Sequence, residues 1–447
     1  MTNEKYGLIG KTLVHSYSKE IHEALGRYQY QLFSLAEDEM PDFINARDFR
    51  GLNVTIPYKK DVIPLCDEVT DLARGIGAVN TLFWKNASET GASESISQED
   101  KILVGHNTDY EGFLYAASRA GIDFEGKGVL ILGTGGTSLM ARRAAADQNA
   151  AKIYIASRHP ETDPPSGSEI QDAGILSTVS YDQLPEIADS IDVIVNTTPV
   201  GTFPNNMQQV IRLKDFPSCQ AVIDVIYNPF KTALLLEAEK LGLKYTNGLP
   251  MLVAQATAAA GYFLGTPGAF QKENQRIIKS MKQQMGNIVL IGMPGTGKSL
   301  IGKFLAELTG KTLQDTDAKI EEEAKMTIPE IFEKEGEAGF RDRESAICKK
   351  LGKERNLIIA TGGGAILRPE NVNALRQNGT LVHITRSIDK LPTRGRPLSK
   401  NIETLKKMEA QRMPLYKAAA DITFRNNYTC SRKKLRQRVT TYILEKL

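Results

Sequence analysis

The chain has 447 residues, more than one hydrophobic core usually serves, so two or three domains are expected. Its 41% hydrophobic and 24% charged residues exclude a disordered chain, and a formal net charge of +3 offers no basic surface for nucleic acid. The most apolar tract, Met251–Leu264, is interrupted by Gln255 and too short to cross a bilayer, so partners are sought among small molecules rather than membranes.

Cys66, Cys219, Cys348 and Cys430 form no CxxC pair and no metal-ligand cluster, which points to thiols in a reducing compartment. With no basic run leading into a long apolar stretch at the N-terminus, a cytoplasmic protein is expected. Oligomeric state is not encoded in any of these features.

Along the chain, short apolar runs alternate with helical patterns, the mark of an α/β architecture with parallel strands. The first polar cluster is His15-Ser16-Tyr17-Ser18. Gly51-Leu-Asn53-Val-Thr55-Ile-Pro57-Tyr-Lys59 follows, an apolar strand running into a proline turn and a lysine. Asn80-Thr81 and His106-Asn107-Thr108-Asp109 stand at strand edges, and the Ser- and Glu-rich Lys85–Lys101 reads as an exposed loop between two strands. Taken singly, Lys59 is a surface lysine and Asp109 a helix cap.

The run Gly128–Leu132 ends at Gly133-Thr-Gly135-Gly136-Thr-Ser138 and leads into a helix. Ser138 takes the third glycine position of G-x-G-x-x-G, so a plain strand–helix turn stands beside a dinucleotide site. The next strand, Lys152–Ala156, ends at Ser157-Arg158, where an NAD site usually carries an acid for the ribose 2′-hydroxyl. An arginine there favours a 2′-phosphate, hence NADP, although a solvated loop arginine is the alternative. Asp224-Val-Ile-Tyr227-Asn-Pro229 and Gly248-Leu-Pro-Met251-Leu-Val-Ala-Gln255 come next. Pro267–Met285 reads as the last helix of the first half, with a boundary near Gly286.

The strand Asn287–Ile291 runs into Gly292-Met-Pro-Gly295-Thr296-Gly297-Lys298-Ser299, which fits G-x-x-x-x-G-K-[ST]. Its glycines let backbone N–H groups cradle phosphates at the positive end of a helix. Lys298 should reach the β- and γ-phosphates of a nucleoside triphosphate, and Ser299 should ligate Mg²⁺. Downstream stand Asp315-Thr-Asp317, Phe340-Arg341-Asp-Arg-Glu344, Gly362-Gly363-Gly364, Arg394-Gly-Arg396 and Arg412-Met-Pro-Leu-Tyr416. Each alone also reads as a turn, a cap, a loop or a solvated arginine.

In this order after a phosphate loop, the segments of 286–447 closely resemble shikimate kinase. The resemblance implies that Asp317 contacts substrate hydroxyls, that Asp315 supports Mg²⁺ through water, and that Arg341, Arg412 and the loop around Gly363 hold the anionic substrate. Arg396 looks like the lid arginine meeting the transferring phosphoryl group, and Arg394 and Arg386 are the alternatives for stacking adenine. Planar arginines suit a carboxylate, and a mobile cation suits phosphoryl transfer.

Residues of about 1–285 resemble the shikimate dehydrogenase family. The resemblance implies that Lys59 and Asp109 form the acid–base pair, the lysine delivering a proton while the nicotinamide delivers hydride. It also implies that Ser16 and Ser18 hold the substrate carboxylate and that Thr55, Asn80, Tyr227 and Gln255 take its other polar groups. Gly133, Gly135, Gly136, Ser157, Arg158 and Gly248 would receive NADP(H). Lys19 stands where the family usually has proline, which leaves quinate as an alternative substrate to shikimate.

Together the halves imply a bifunctional enzyme that reduces 3-dehydroshikimate to shikimate and then phosphorylates it. The expected organisation is a substrate lobe at 1–105 completed by helices of 246–285, a Rossmann-like NADP lobe at 106–245, and a P-loop domain at 286–447 with a lid near 387–400. Two other readings stand: a kinase half that only senses nucleotide, and one that acts on a different small hydroxy acid. The presence of Asp317, Arg341 and Arg412 argues against the first, and Arg341 and Arg412 with the attached dehydrogenase argue against the second.

Overall fold

A computed structural model of the chain describes residues 5–13, 16–86, 101–162, 174–391, 402–426 and 431–447. His15, Cys430, most of the loop expected at Lys85–Lys101, and both Arg394 and Arg396 lie outside the described residues. The chain divides into two compact units. One comprises Met1–Val200, Gln209–Tyr227 and Glu237–Lys279; the other comprises Gly201–Gln208, Asn228–Leu236 and Ser280–Leu447.

The first unit holds two sheets. In one, β1 (Tyr6–Gly10), β2 (Tyr30–Ser34), β3 (Gly51–Val54), β4 (Glu68–Val69), β5 (Thr81–Asn86) and β6 (Lys101–His106) take the order β2-β1-β3-β5-β6-β4. It is mixed, because β5 runs antiparallel to both β3 and β6. The ends of β5 and β6, Asn86 and Lys101, are register partners, so the two strands bracket the expected loop. Helix Gly248–Phe263 packs beside β3 so tightly that a Cβ on Gly51 would lie 2.3 Å from the Phe263 ring.

In the other sheet, β7 (Gly128–Leu132), β8 (Lys152–Ser157), β9 (Leu176–Ser180), β10 (Val193–Asn196), β11 (Ala221–Asp224) and β12 (Lys244–Thr246) take the order β12-β11-β10-β7-β8-β9, all parallel. This is the doubly wound order, with its reversal between β7 and β10, where such sheets open a crevice at their carboxyl ends. Every residue of β7 is buried, as expected of a strand covered on both faces.

The second unit is built on β13 (Asn287–Ile291), β14 (Thr312–Asp315), β15 (Leu357–Ala360), β16 (Gly379–Thr385) and β17 (Ile422–Arg425). They form one parallel sheet in the order β14-β15-β13-β16-β17. Helices cover both faces, one core running through Ile301, Leu305 and Val439 and another through Ile331, Ile347 and Leu405. Helix Ile328–Lys353 breaks at Gly336, whose φ 69° with ψ −172° lies in a region essentially confined to glycine, and this re-aims the turn that carries Phe340 and Arg341. The helix expected across Pro267–Met285 forms over Asn274–Met285. Among the described residues no helix is long and apolar enough to cross a membrane.

Gly128 opens β7 where a Cβ would lie 1.8 Å from the backbone oxygen of Ser190, an atom that cannot swing aside. Gly128→Ala should therefore destabilise by about 1–3 kcal/mol. Gly136→Ala, where a Cβ meets nothing within 4 Å, should be close to neutral. Urea unfolding of both variants checks this, and equal midpoints would contradict it.

Candidate active sites

In the first unit the strands deliver their polar ends to one region. The turn after β3 carries Lys59, and the turn after β6 starts helix Asp109–Arg119. Lys59 Nζ lies 2.5 Å from Asp109 Oδ2, with side chains 25% and 18% exposed. The pair is sheltered but open to a substrate. Asn80 holds this turn in place: its Oδ1 accepts from Thr108 N at 2.7 Å and from Thr81 Oγ1 at 2.9 Å. Asn107 Oδ1 in turn accepts from Asp109 N at 3.1 Å. The turn that carries Asp109 is thus set by a buried amide network.

The other expected substrate residues lie on several elements of this unit. Gly112, one turn after Asp109, would place a Cβ 2.9 Å from Gln255 Cβ, so Gln255 lies beside the start of the same helix. Tyr227 meets Tyr17 edge to face at 6.0 Å, which brings the end of β11 to the segment carrying Ser16 and Ser18. Ser16 Oγ accepts from Ser18 N at 3.2 Å, and Ser18 is largely buried at the first turn of a short helix. Thr55 sits in the turn after β3, its N–H donating to Ile9 O at 3.0 Å.

At the reversal of the parallel sheet, Gly133 takes φ 102°, and a Cβ there would meet Thr197 and Thr198 at 3.0–3.1 Å. A Cβ on Gly135 or Gly136 would meet nothing within 4 Å, so the helix N-terminus presents open backbone, as a pyrophosphate site requires. Ser138, the third-glycine substitute, is fully buried and accepts from Arg142 Nε at 3.2 Å, so it fills helix packing without obstructing the turn. On the neighbouring strand Arg158 is exposed, while Ser157 is buried and its Oγ accepts from His159 N at 2.9 Å. Gly248 packs its Cα against Val225, where a Cβ would lie 1.9 Å from the carbonyl oxygen. These groups fit a dinucleotide with a 2′-phosphate. Sequence reasoning missed Asn196, Thr197 and Thr198 on the facing strand end, where Thr197 Oγ1 donates to Leu132 O at 2.7 Å. A polar run closing a wholly buried strand was the available signal.

In the second unit one cavity of about 620 Å³ gathers the phosphate loop with Asp315, Asp317, Arg341, Glu344, Gly362–Gly364 and Arg412. Gly295 and Gly297 take φ 86° and 97°, and a Cβ on Gly292 would lie 2.3 Å from Ile384 O. Lys298 is folded back on its own loop, its Nζ donating to Gly292 O at 2.7 Å and Met293 O at 3.1 Å. Ser299 Oγ donates to Asp315 Oδ2 at 3.0 Å. A hydroxyl and a carboxylate at this distance fit a hard cation such as Mg²⁺, which takes a few protein oxygens beside phosphate and water.

Asp315 caps the next helix, accepting from Asp317 N at 3.1 Å. Burial, then the nearby charges of Asp315 and Glu344, push the Asp317 carboxyl up to about 6. Burial also raises the Glu344 carboxyl, against the pull of Arg341, whose Nη1 donates to Glu344 Oε2 at 2.7 Å. Arg412 is 5% exposed, and its Nη1 donates to Gly363 O at 2.9 Å. Among the described residues Asp317 Oδ1, Glu344 Oε1 and Arg412 Nε are buried without a hydrogen-bond partner. Two acceptors and a cationic donor left open in one cavity suit a small molecule that carries hydroxyls and a carboxylate.

Sequence reasoning quoted Glu344 but gave it no role, and it missed Asn426. Asn426 Nδ2 donates to Thr296 O at 2.7 Å and packs where a Gly297 side chain would be. No local pattern marks it, since it reaches the loop from the end of β17. Arg386 Nη1 lies 3.5 Å from Gly295 O, beside the phosphate loop. The position of Arg396 lies outside the described residues.

Residues 294–447 match the shikimate kinase family, and residues 8–82 match the shikimate dehydrogenase substrate binding domain. The NADP-dependent shikimate dehydrogenase of Clostridium perfringens is 34% identical over 262 residues, which is 57% of this chain and 90% of that protein. A chorismate mutase/shikimate 5-dehydrogenase fusion protein from Clostridium acetobutylicum matches with a TM-score of 0.54 and 32% identity, over 63% of this chain and 98% of its own. The shikimate 5-dehydrogenase of Thermus thermophilus, solved with NADP(H) and shikimate, matches with a TM-score of 0.51 and 28% identity, over 62% of this chain and 99% of its own.

The raised Asp317 carboxyl makes a stability prediction. Its pKa rises from 3.8 to about 6 on folding, so between those values the folded chain holds a proton that the unfolded chain has lost. Its contribution therefore turns unfavourable as pH climbs through that window, reaching on the order of 3 kcal/mol above it. Asp317→Asn should raise the unfolding midpoint at pH 7.5 and leave it unchanged near pH 4. A variant equally stabilised at both pH values would show that charge burial is not the cause.

Proposed function

The chain belongs to the shikimate dehydrogenase family and carries a shikimate kinase domain, and from that premise we propose two consecutive activities on one polypeptide. The first is NADPH-dependent reduction of 3-dehydroshikimate to shikimate. The second is phosphorylation of shikimate by ATP with Mg²⁺, giving shikimate 3-phosphate. The reaction sequence belongs to the route to chorismate and the aromatic amino acids. We assign residues 1–105 with helices of 246–285 to the dehydrogenase substrate lobe, 106–245 to the NADP lobe and 286–447 to the kinase. Three thiols with no disulfide among the described residues support a cytoplasmic location.

In the redox step NADPH, when bound, would supply the hydride that the carbonyl carbon takes up, and Gly133, Gly135, Gly136, Ser157, Arg158 and Gly248 are the residues that would hold it. Lys59 Nζ gives a proton to the carbonyl oxygen, which becomes the new hydroxyl, and Asp109 keeps that ammonium oriented through the 2.5 Å contact. Asn80 has its carbonyl oxygen committed to the Thr108 turn, so its amide NH₂ is the group it offers to substrate. Ser16 and Ser18 receive the carboxylate, with Thr55, Tyr227 and Gln255 on the remaining polar groups. The observation that carries this half is the sheltered Lys59–Asp109 pair beside Gln255.

In the transfer step the substrate hydroxyl attacks the γ-phosphorus, the bond to the bridging oxygen breaks, and the hydroxyl proton passes to Asp317. The orphaned Oδ1 of Asp317 is the acceptor for that hydroxyl, and a carboxylate pushed toward neutral pH is better matched to taking a proton. Mg²⁺, when bound, supplies charge neutralisation on the phosphates, and Ser299 with Asp315 are the residues that would hold it. Lys298 leaves the carbonyls of Gly292 and Met293 to meet the phosphates, with the N–H groups of Gly295, Thr296 and Gly297 around them. Arg341 and Arg412 hold the substrate acid, and Arg396 is assigned to the lid. The observation that carries this half is the single cavity joining the phosphate loop to Asp317 and two buried arginines.

A coupled assay on the full chain tests both steps. With 3-dehydroshikimate, NADPH and Mg-ATP, shikimate 3-phosphate should accumulate; unphosphorylated shikimate as end product would remove the kinase reading. Lys59→Ala should cut reduction by at least about a hundredfold and leave phosphorylation of supplied shikimate intact. Arg158→Ala should weaken NADPH by roughly tenfold, the scale of one charge-assisted hydrogen bond, and leave NADH unchanged. Equal loss for both nucleotides would detach Arg158 from the 2′-phosphate.

A further inference from the structure

One carbonyl oxygen in the kinase cavity accepts from two side chains on the same helix. Gly363 O receives Arg412 Nη1 at 2.9 Å and Tyr416 Oη at 2.6 Å, which occupies both of its lone pairs. Arg412 and Tyr416 are four residues apart on helix Ile402–Ala419 and so share one face. On its other side Gly363 packs against the phosphate loop, where a Cβ would lie 2.7 Å from Pro294 Cδ. The Tyr416 ring is 1% exposed and stacked on His383 at 4.8 Å, and His383 is the register partner of Ile291, the last residue before the phosphate loop.

We propose that Tyr416 is a positioning residue for the substrate carboxylate, acting through the Gly363 carbonyl on Arg412. This inference rests on the kinase reading above. With both donors in place the strap cannot shift without breaking two bonds, and the guanidinium is anchored by Nη1 while its buried Nε edge stays open. That open edge is the geometry that takes a carboxylate bidentately. Without the tyrosine hydroxyl, Arg412 is the one side chain left on the Gly363 carbonyl; Gly362 N still donates to Thr316 Oγ1, so the fold of the strap holds while the carbonyl and the guanidinium on it lose their fixed alignment. The ring stack on His383 survives that loss, so the fold does not depend on the hydroxyl.

The test compares shikimate with its methyl ester, which keeps the ring hydroxyls but cannot form the charged two-bond pair. Tyr416→Phe should lower kcat/KM for shikimate about two- to tenfold, the range of one lost hydrogen bond, mainly through KM. It should leave kcat/KM for the ester and the KM for ATP within about twofold. Arg412→Lys should collapse the acid-to-ester preference by itself, and adding Tyr416→Phe to it should cost nothing further. An unchanged preference in Tyr416→Phe, equal losses on acid and ester, or an additive loss in the double variant overturns the proposal. A lowered melting temperature with the preference retained also overturns it. If the parent chain leaves shikimate unphosphorylated, the kinase reading and this inference fall together, a result distinct from a working parent whose variant keeps its preference.

Discussion

The absence of side chains at Gly362, Gly363 and Gly364 lets a backbone strap pass between groups that would otherwise be held apart. A Cβ at Gly362 would lie 2.6 Å from Asp317 Oδ1, one at Gly363 would lie 2.7 Å from Pro294, and one at Gly364 would lie 2.1 Å from Arg341 Nη1. Nucleotide loop, acid and arginine therefore all approach the same three residues. Glycine is usually argued from its backbone freedom, but none of these three takes a positive φ. What matters here is volume. The strap starts where β15 ends, and Gly362 N donates to Thr316 Oγ1 at 2.8 Å, so a strand end and a helix start fix it from both sides.

Around that strap the kinase cavity concentrates buried charge. Asp317, Glu344, Arg341 and Arg412 all line it, and burial is the first cause of the shifts at Asp317, Glu344 and Arg412. The Arg341–Glu344 pair offsets part of its desolvation through a 2.7 Å contact, whereas the nearby Lys298 charge does not outweigh the burial and the neighbouring carboxylates that push Asp317 toward protonation. Polar atoms left open in such a place cost stability, of order 1–3 kcal/mol each when no partner arrives. That cost is consistent with a site completed by its substrate, and it is why discrimination by hydroxyl count is available here.

The dehydrogenase unit solves a related problem with amides. Asn80, Asn107 and Asn196 each spend a side-chain oxygen on a nearby turn, fixing the strand ends that carry Asp109 and Thr198. The Lys59–Asp109 pair stands beside this network as an ionic contact with both side chains partly exposed. Both units use a glycine turn feeding a helix N-terminus, yet the turns differ. Gly135 and Gly136 face open space, while the phosphate loop is folded around its own lysine.

Much of this was legible in the residues. The phosphate loop and the glycine turn after β7 are marked by local spacing, whereas Lys59 and Asp109, read singly, are a surface lysine and a helix cap and take a role only from the family resemblance. Asp315 and Asp317 were visible as a pair, but not that one would cap a helix while the other lost its water. Asn426 and Tyr416 could not be given roles, since each reaches its partner, 130 and 53 residues away in the chain, only through strand order or helix packing. The sequence by itself determined which groups can bind phosphate, move a proton or pair with an acid, because those powers belong to the side chains. Only the tertiary structure decided which of them share a cavity, which are stripped of water and which carbonyl two donors must share, because distance and burial are properties of packing and not of order along the chain.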